Sequence, residues 1–149
     1  MSRRTQKIDK VVSLAASDER HHGELTGRSQ QQLNEQLDKL SELHAYRQNY
    51  ANKTFVGGGV NVAHWQDYQN FLLRLDRAVR SQQQIVHDGE KNLELHRQRW
   101  MTKRQKLESL ERLLTRCRDQ DRTYEERLEQ KRLDDIPASG NRALNFDFE

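Results

Sequence analysis

Residues 65–131 read WQDYQNFLLRLDRAVRSQQQIVHDGEKNLELHRQRWMTKRQKLESLERLLTRCRDQDRTYEERLEQK. Through this stretch one row of positions advances by alternating steps of three and four without a slip: Trp65, Tyr68, Leu72, Leu75, Val79, Gln82, Val86, Gly89, Leu93, His96, Trp100, Lys103, Leu107, Leu110, Leu114, Cys117, Asp121, Tyr124, Leu128, Lys131. Fourteen of the twenty are apolar side chains. A strict seven-residue repeat keeps facing a neighbour only if the helices wind around one another with a left-handed supercoil. The fold class that follows is all-α: a long antiparallel coiled-coil hairpin.

Working outward, residues 4–52 contain no proline and carry a second helical pattern, clearest from Leu33 through Leu37, Leu40, Leu43, Tyr46 and Tyr50. Between Ala16 and Gln32 it thins to Leu25. Gly23 and Gly27 each cost about 1 kcal/mol against alanine in a helix, so this is the weakest part of helix one. Residues 53–62, centred on Gly57-Gly58-Gly59, form a turn, because three glycines in a row lose too much backbone freedom to stay helical. Helix two then spans about 63–135 and stops before Pro137, whose ring biases the preceding residue away from helical angles. The domain reading is one hairpin over residues 1–136 and a flexible tail over 137–149. At 1.5 Å per residue the helices would be roughly 75 and 110 Å long.

A fold-back at the glycines opposes residues whose numbers add to about 115. Tyr50 then meets Trp65, Leu40 meets Leu75, Ile8 meets Leu107, and Gly23 lies near Gly89, where looseness is expected. Helix two overshoots its partner by about 25 residues, leaving Leu110, Leu114, Cys117, Tyr124 and Leu128 to be covered by something else or left wet.

Composition agrees with a hairpin. Leu, Ile, Val and Phe make up 32 of 149 residues and charged residues 33%, which is scarce for a two-sided core but enough for one apolar stripe. No apolar run approaches the roughly 18 residues of a membrane span, and a cytoplasmic protein is expected. Cys117, the single cysteine, lies on the apolar row and reads as a small buried group.

Tyr46, Tyr50, Trp65, Tyr68 and Phe71 crowd the hairpin end, and Phe71, Leu75, Ala78 and Gln82 form a second line one position off the main row, which reads either as a surface offered to a partner or as a wider stripe that closes the end of the hairpin. Arg97, Arg99, Lys103, Arg104 and Lys106 form a basic run without an acid, yet the whole chain carries only +3, so a solvated flank is the simpler reading and no nucleic-acid partner is expected. His21, His22 and His96 approach one another and read as a polar layer rather than a zinc site. Gln82, Lys103 and Asp121 read as further polar layers that fix register. The glycine turn lacks the lysine and hydroxyl residue of a phosphate-binding loop, and two helices offer no pocket for a nucleophile and base. The chain is read as a non-enzyme with no cofactor, no metal and no small-molecule substrate.

The segments LHAYRQNY (43–50), WQDYQNFLLRLDRAV (65–79), RQRWMTKRQKLESL (97–110) and ERLEQKRLDD (126–135), with the glycine turn between the first two, resemble the FliJ family, small coiled-coil components of the bacterial flagellar type III export apparatus. The resemblance spans nearly the whole chain. It implies a monomeric antiparallel hairpin that inserts as a stalk into the flagellar export ATPase hexamer. It also implies contact with the cytoplasmic part of the membrane export gate and with export substrate chaperones, at the cytoplasmic face of the membrane at the flagellar base. Carried over by residue, Leu43, Tyr46, Tyr50, Phe71, Leu75, Ala78 and Gln82 would meet the gate. Arg122, Arg127, Gln130 and Lys131, with the start of helix one, would face the ATPase. Rival readings are a generic coiled-coil scaffold or secretion chaperone that dimerises through the overhang, a basic nucleic-acid binder, and the equivalent stalk of a virulence type III secretion system.

Overall fold

In the computed structural model the chain forms two helices, α1 (Arg3–Asn52) and α2 (Val62–Phe146). The structure describes residues 1–52 and 62–146, with side chains to Ile136. The expected glycine turn over 53–61 and the last three residues of the tail lie outside the described residues. Three of the four helix ends fall within a residue of the sequence reading. The fourth does not: α2 continues past Pro137 to Phe146. A proline forfeits one helical hydrogen bond and only biases its predecessor, and the following Ala138, Arg142, Ala143 and Leu144 are good helix formers.

The start of α1 is well capped. Ser2 Oγ accepts from the Thr5 N–H at 3.2 Å, which satisfies a donor that a helix N-terminus otherwise leaves without a partner, and the Gln6 N–H donates to the Ser2 carbonyl at 3.0 Å as the first bond of the helical ladder.

Two compact units divide the chain. In the unit of residues 20–102, Tyr50 meets Phe71 with ring centroids 4.4 Å apart, Gln36 meets Gln82, Gln30 meets Arg97, and Leu33, Val86 and Leu93 form a buried cluster joined by Leu40. In the unit of residues 1–19 and 103–149, Lys103 pairs with Asp18 at 2.8 Å, Arg118 with Asp9 at 3.4 Å, and Thr5 with Asp121 at 2.6 Å. Numbers fall on α1 as they rise on α2, so the helices are antiparallel in both units.

Opposed residues in either unit add to 118–127 rather than about 115. Tyr50 faces Tyr68 and Phe71 in place of Trp65, and Ile8 comes into register with Leu114 in place of Leu107. The offset is about one heptad, a displacement that leaves the same row of α2 facing α1 and to which the apolar pattern is blind.

That row is the seam. Leu75, Val79, Gln82, Val86, Leu93, Leu114 and Cys117 are buried, and Leu72, His96, Trp100, Lys103, Leu107, Leu110 and Asp121 half-buried. The α1 side answers with a heptad row of its own, from Thr5 through Ile8, Val12, Ala15, Glu19, His22, Thr26, Ser29, Leu33, Gln36, Leu40, Leu43 and Arg47 to Tyr50, all buried or half-buried. Where the apolar pattern thins, buried Thr26 and Ser29 carry it. The seam glycines are also not slack. An added Cβ on Gly23 would lie 3.1 Å from Nε1 of Trp100, and one on Gly89 would lie 3.3 Å from Cδ1 of Leu33. Each glycine admits a large side chain from the other helix.

Candidate functional site

At the end of the hairpin where α1 stops and α2 starts, five rings form a chain. Trp65 stacks near Tyr68 (6.1 Å), Tyr68 on Tyr50 (5.2 Å), Tyr50 tilts against Phe71 (4.4 Å), and Tyr46 meets Phe71 edge-on (6.2 Å). These separations and angles are those that aromatic quadrupoles favour. The Tyr68 hydroxyl donates to the carbonyls of Tyr50 (3.3 Å) and Ala51 (3.1 Å), two of the acceptors that the last turn of a helix leaves open. An Arg47–Asp76 ion pair ties the helices one turn further in, and the hydrogen bond with Asp76, together with its charge, raises the already high pKa of the guanidinium.

Of the seven residues expected at this surface, Tyr46 is 54% exposed while Leu75 and Gln82 are 7% and 8% exposed. Leu43, Tyr50, Phe71 and Ala78 are half-buried. The platform is thus built around Tyr46, Tyr50 and Phe71, with Leu75 and Gln82 in the seam beneath. The Gln82 amide donates to the Gln36 carbonyl (2.9 Å) and to its Oε1 (2.8 Å). A shallow groove of about 490 Å³ opens beside Tyr46, lined by Lys39, Glu42, Leu43 and Gln82. Sequence reasoning missed the Tyr68 cap and the Arg47–Asp76 pair, because both depend on the register.

The second candidate surface lies in the other unit. Asp121 ties α2 to the start of α1: its Oδ2 accepts from the Ser2 N–H at 3.0 Å and from the Thr5 hydroxyl at 2.6 Å. Residues 122–136 are all exposed, among them Tyr124 at 64%, Leu128 at 48% and Leu133 at 57%. Leu110, Leu114 and Cys117, expected in the overhang, are instead covered, because the shift of one heptad brings α1 further along α2. Arg122, Arg127, Gln130 and Lys131 all fall in the exposed stretch, and Arg122 pairs with Asp119 one turn back at 3.0 Å.

Each polar layer read from the row has a partner or a position. Gln82 meets Gln36, Lys103 meets Asp18, and Asp121 meets Ser2 and Thr5. The rings of His21 and His22 lie edge to face at 5.7 Å, and His96 is half-buried in the seam. Among the described residues no group of three or more His, Cys, Asp or Glu side chains is arranged to hold a metal ion, and no helix is long and apolar enough to cross a membrane.

Two antiparallel helices with a heptad seam, exposed aromatics and an exposed helix end define the molecule as a coiled-coil hairpin. The chain belongs to the flagellar FliJ protein family, whose model matches residues 4–141, a family associated with flagellar protein export. It is similar to the flagellar FliJ protein of Escherichia coli (strain K12), 27% identical over 108 residues, and to that of Salmonella typhi, 28% identical over 107 residues; each match covers 71% of both chains. No solved structure gives a significant match.

Proposed function

We propose that the chain acts as the central stalk of the flagellar export ATPase hexamer and links that ring to the cytoplasmic part of the membrane export gate and to export substrate chaperones, as a monomer at the cytoplasmic face of the membrane. The observation that carries this reading is the uncovered end of α2. After Asp121 the first helix has run out, yet the second continues with Tyr124, Leu128 and Leu133 exposed among charges of both signs. A helix end with apolar anchors and alternating charges suits a polar collar around an apolar contact. One asymmetric pair of helices inside a six-fold ring touches the subunits unequally, and can therefore bias them into different states.

In this reading Arg122, Arg127, Gln130 and Lys131 face the ATPase. Leu43, Tyr46, Tyr50, Phe71 and Ala78 meet the gate, held from beneath by Leu75 and Gln82. The test is to add the purified chain to the flagellar export ATPase and to follow ring assembly and ATP turnover. Both should rise, and the rise should be lost when Arg122, Arg127 and Lys131 are replaced by glutamine. No effect of the native chain on either quantity would overturn the stalk role. A stable dimer at low concentration, in place of a species near 17.7 kDa, would favour the scaffold reading.

A further inference from the structure

Near its start α2 carries three arginines one turn apart, Arg74, Arg77 and Arg80, all exposed. None of them has an ion-pair or hydrogen-bond partner among the described residues. The carboxylate within helical reach of Arg80 is Asp76, four positions back, and Asp76 is already engaged by Arg47 of α1. Like charges three residues apart repel across one turn and weaken a helix. Three cations elsewhere do meet carboxylates: Lys103 with Asp18, Arg118 with Asp9, Arg122 with Asp119. The row is therefore free to pair with charges outside the chain, and what distinguishes it is its place beside the aromatic end.

The row adjoins apolar surface. Positions 71, 74, 78, 81 and 85 share one flank of a helix, so Arg74 sits between half-buried Phe71 and Ala78, and Ile85, 46% exposed, continues the line. Tyr46, more than half exposed, abuts Phe71 edge-on. We infer that this flank of α2 docks on a carboxylate-bearing protein surface. The apolar line seats in a shallow depression there, Arg74 and Arg77 bind acids along its edge, and Arg80, further round the helix, adds longer-range attraction. The inference rests on the reading of the aromatic end as the gate-docking surface and specifies the chemistry of the gate's half of the contact.

Magnitudes favour a protein partner over a lipid or nucleic-acid one. Polybasic segments that hold to anionic membranes gather about four to eight lysines and arginines, and three fall short of that. Tyrosine and arginine together are instead the residues in which protein interfaces concentrate their binding energy. The planar guanidinium fork also matches a carboxylate through two parallel hydrogen bonds.

The experiment uses the full chain, the purified cytoplasmic part of the flagellar export gate, and titrations at about 50 and about 300 mM salt, where screening of exposed charges differs strongly. The Arg74→Gln/Arg77→Gln/Arg80→Gln variant should keep its helicity, bind about tenfold more weakly at low salt, the scale expected for three exposed charge pairs, and lose most of its salt dependence. The matching triple lysine variant, which keeps the charges and loses the forks, should keep the salt dependence and bind with an affinity between those of the native chain and the glutamine variant. Native affinity and an unchanged salt slope in the glutamine variant would overturn the inference, and if Phe71→Ala weakened binding in the same assay the docking reading would still stand. No binding by the native chain would remove both. Arginine-dependent binding to phosphatidylglycerol vesicles, with none to the gate, would overturn it in favour of a lipid surface.

Discussion

Asp121 shows how single residues set the limits of the hairpin. Its carboxyl is held below the usual range, first by the hydrogen bond from the Thr5 hydroxyl and next by the one from the Ser2 N–H. A carboxyl whose folded pKa is depressed contributes stability that is fully present above its unfolded value, about 3.9, and is lost as pH falls through the lower folded value. Lowering the pH from about 5 to about 2 should therefore loosen the first turns of α1. Amide exchange at Thr5, Gln6 and Lys7 should report it. Asp121→Asn should remove the acid step and lower protection of the same amides at neutral pH; an acid step that survives the substitution would refute the assignment. Glycines supply a second case. Gly27 has nothing within 4 Å of an added Cβ, whereas Gly23 has the Trp100 indole at 3.1 Å. Gly27→Ala should gain up to about 1 kcal/mol from helix propensity. Gly23→Ala should fail to gain it, and should recover it when Trp100 is also replaced by alanine, a coupling that thermal unfolding of the four variants measures.

At the scale of the elements, the question is what selects one register from several that the heptads permit. Sliding α1 by seven residues leaves both apolar rows face to face, but it would part Gln82 from Gln36, Asp121 from Thr5 and Trp100 from Gly23. Those three devices are polar or steric, and each is specific to one pairing. Gln82→Leu should therefore leave helicity intact and change stability by no more than about 1 kcal/mol, since it exchanges a neutral hydrogen bond for apolar burial. It should also weaken the single register. Spin labels on exposed positions of α1 and α2 should give one distance in the native chain and, in the variant, a second population displaced by about 10 Å, seven residues of helical rise. A single unchanged distance would show that Gln82 does not select the register. The same reasoning explains what could be read from the sequence. The row from Tyr68 to Asp121, both helices and three of their four ends were legible, because periodicity and glycine placement are local signals. The register was not, because a heptad pattern repeats every seven residues. Nor was the α1 seam through Thr26 and Ser29, where the buried residues are small and polar. At the aromatic end, Tyr46, Tyr50 and Phe71 were legible as neighbours. The burial of Leu75 and Gln82 conflicted with a second reading, since both positions belong at once to the seam row and to the line beside it.

At the scale of the whole molecule, α2 carries residues of both candidate docking surfaces, but α1 supports them differently. Around Phe71 the first helix is an active part of the surface, through Tyr46, Tyr50 and the Tyr68 cap on its last carbonyls. At Asp121 it contributes its N-terminal turn and then ends. Stability and docking should therefore separate cleanly in a truncation. A chain ending at Thr123 keeps Asp121 with its bonds to Ser2 and Thr5, keeps every seam residue that is buried, and removes a stretch that is exposed from 124 to 136. The lost residues bury little apolar surface, and burial is what most helical stability in proteins rests on. Unfolding of the shortened chain should accordingly shift by less than about 1 kcal/mol, while its effect on ring assembly and turnover of the export ATPase should vanish and its affinity for the export gate should remain. If the truncated chain unfolded much more easily, the terminal stretch would be part of the fold. If it still stimulated the ATPase, the ring contact would have to lie elsewhere on the hairpin, and the exposed Tyr124, Leu128 and Leu133 would need another partner.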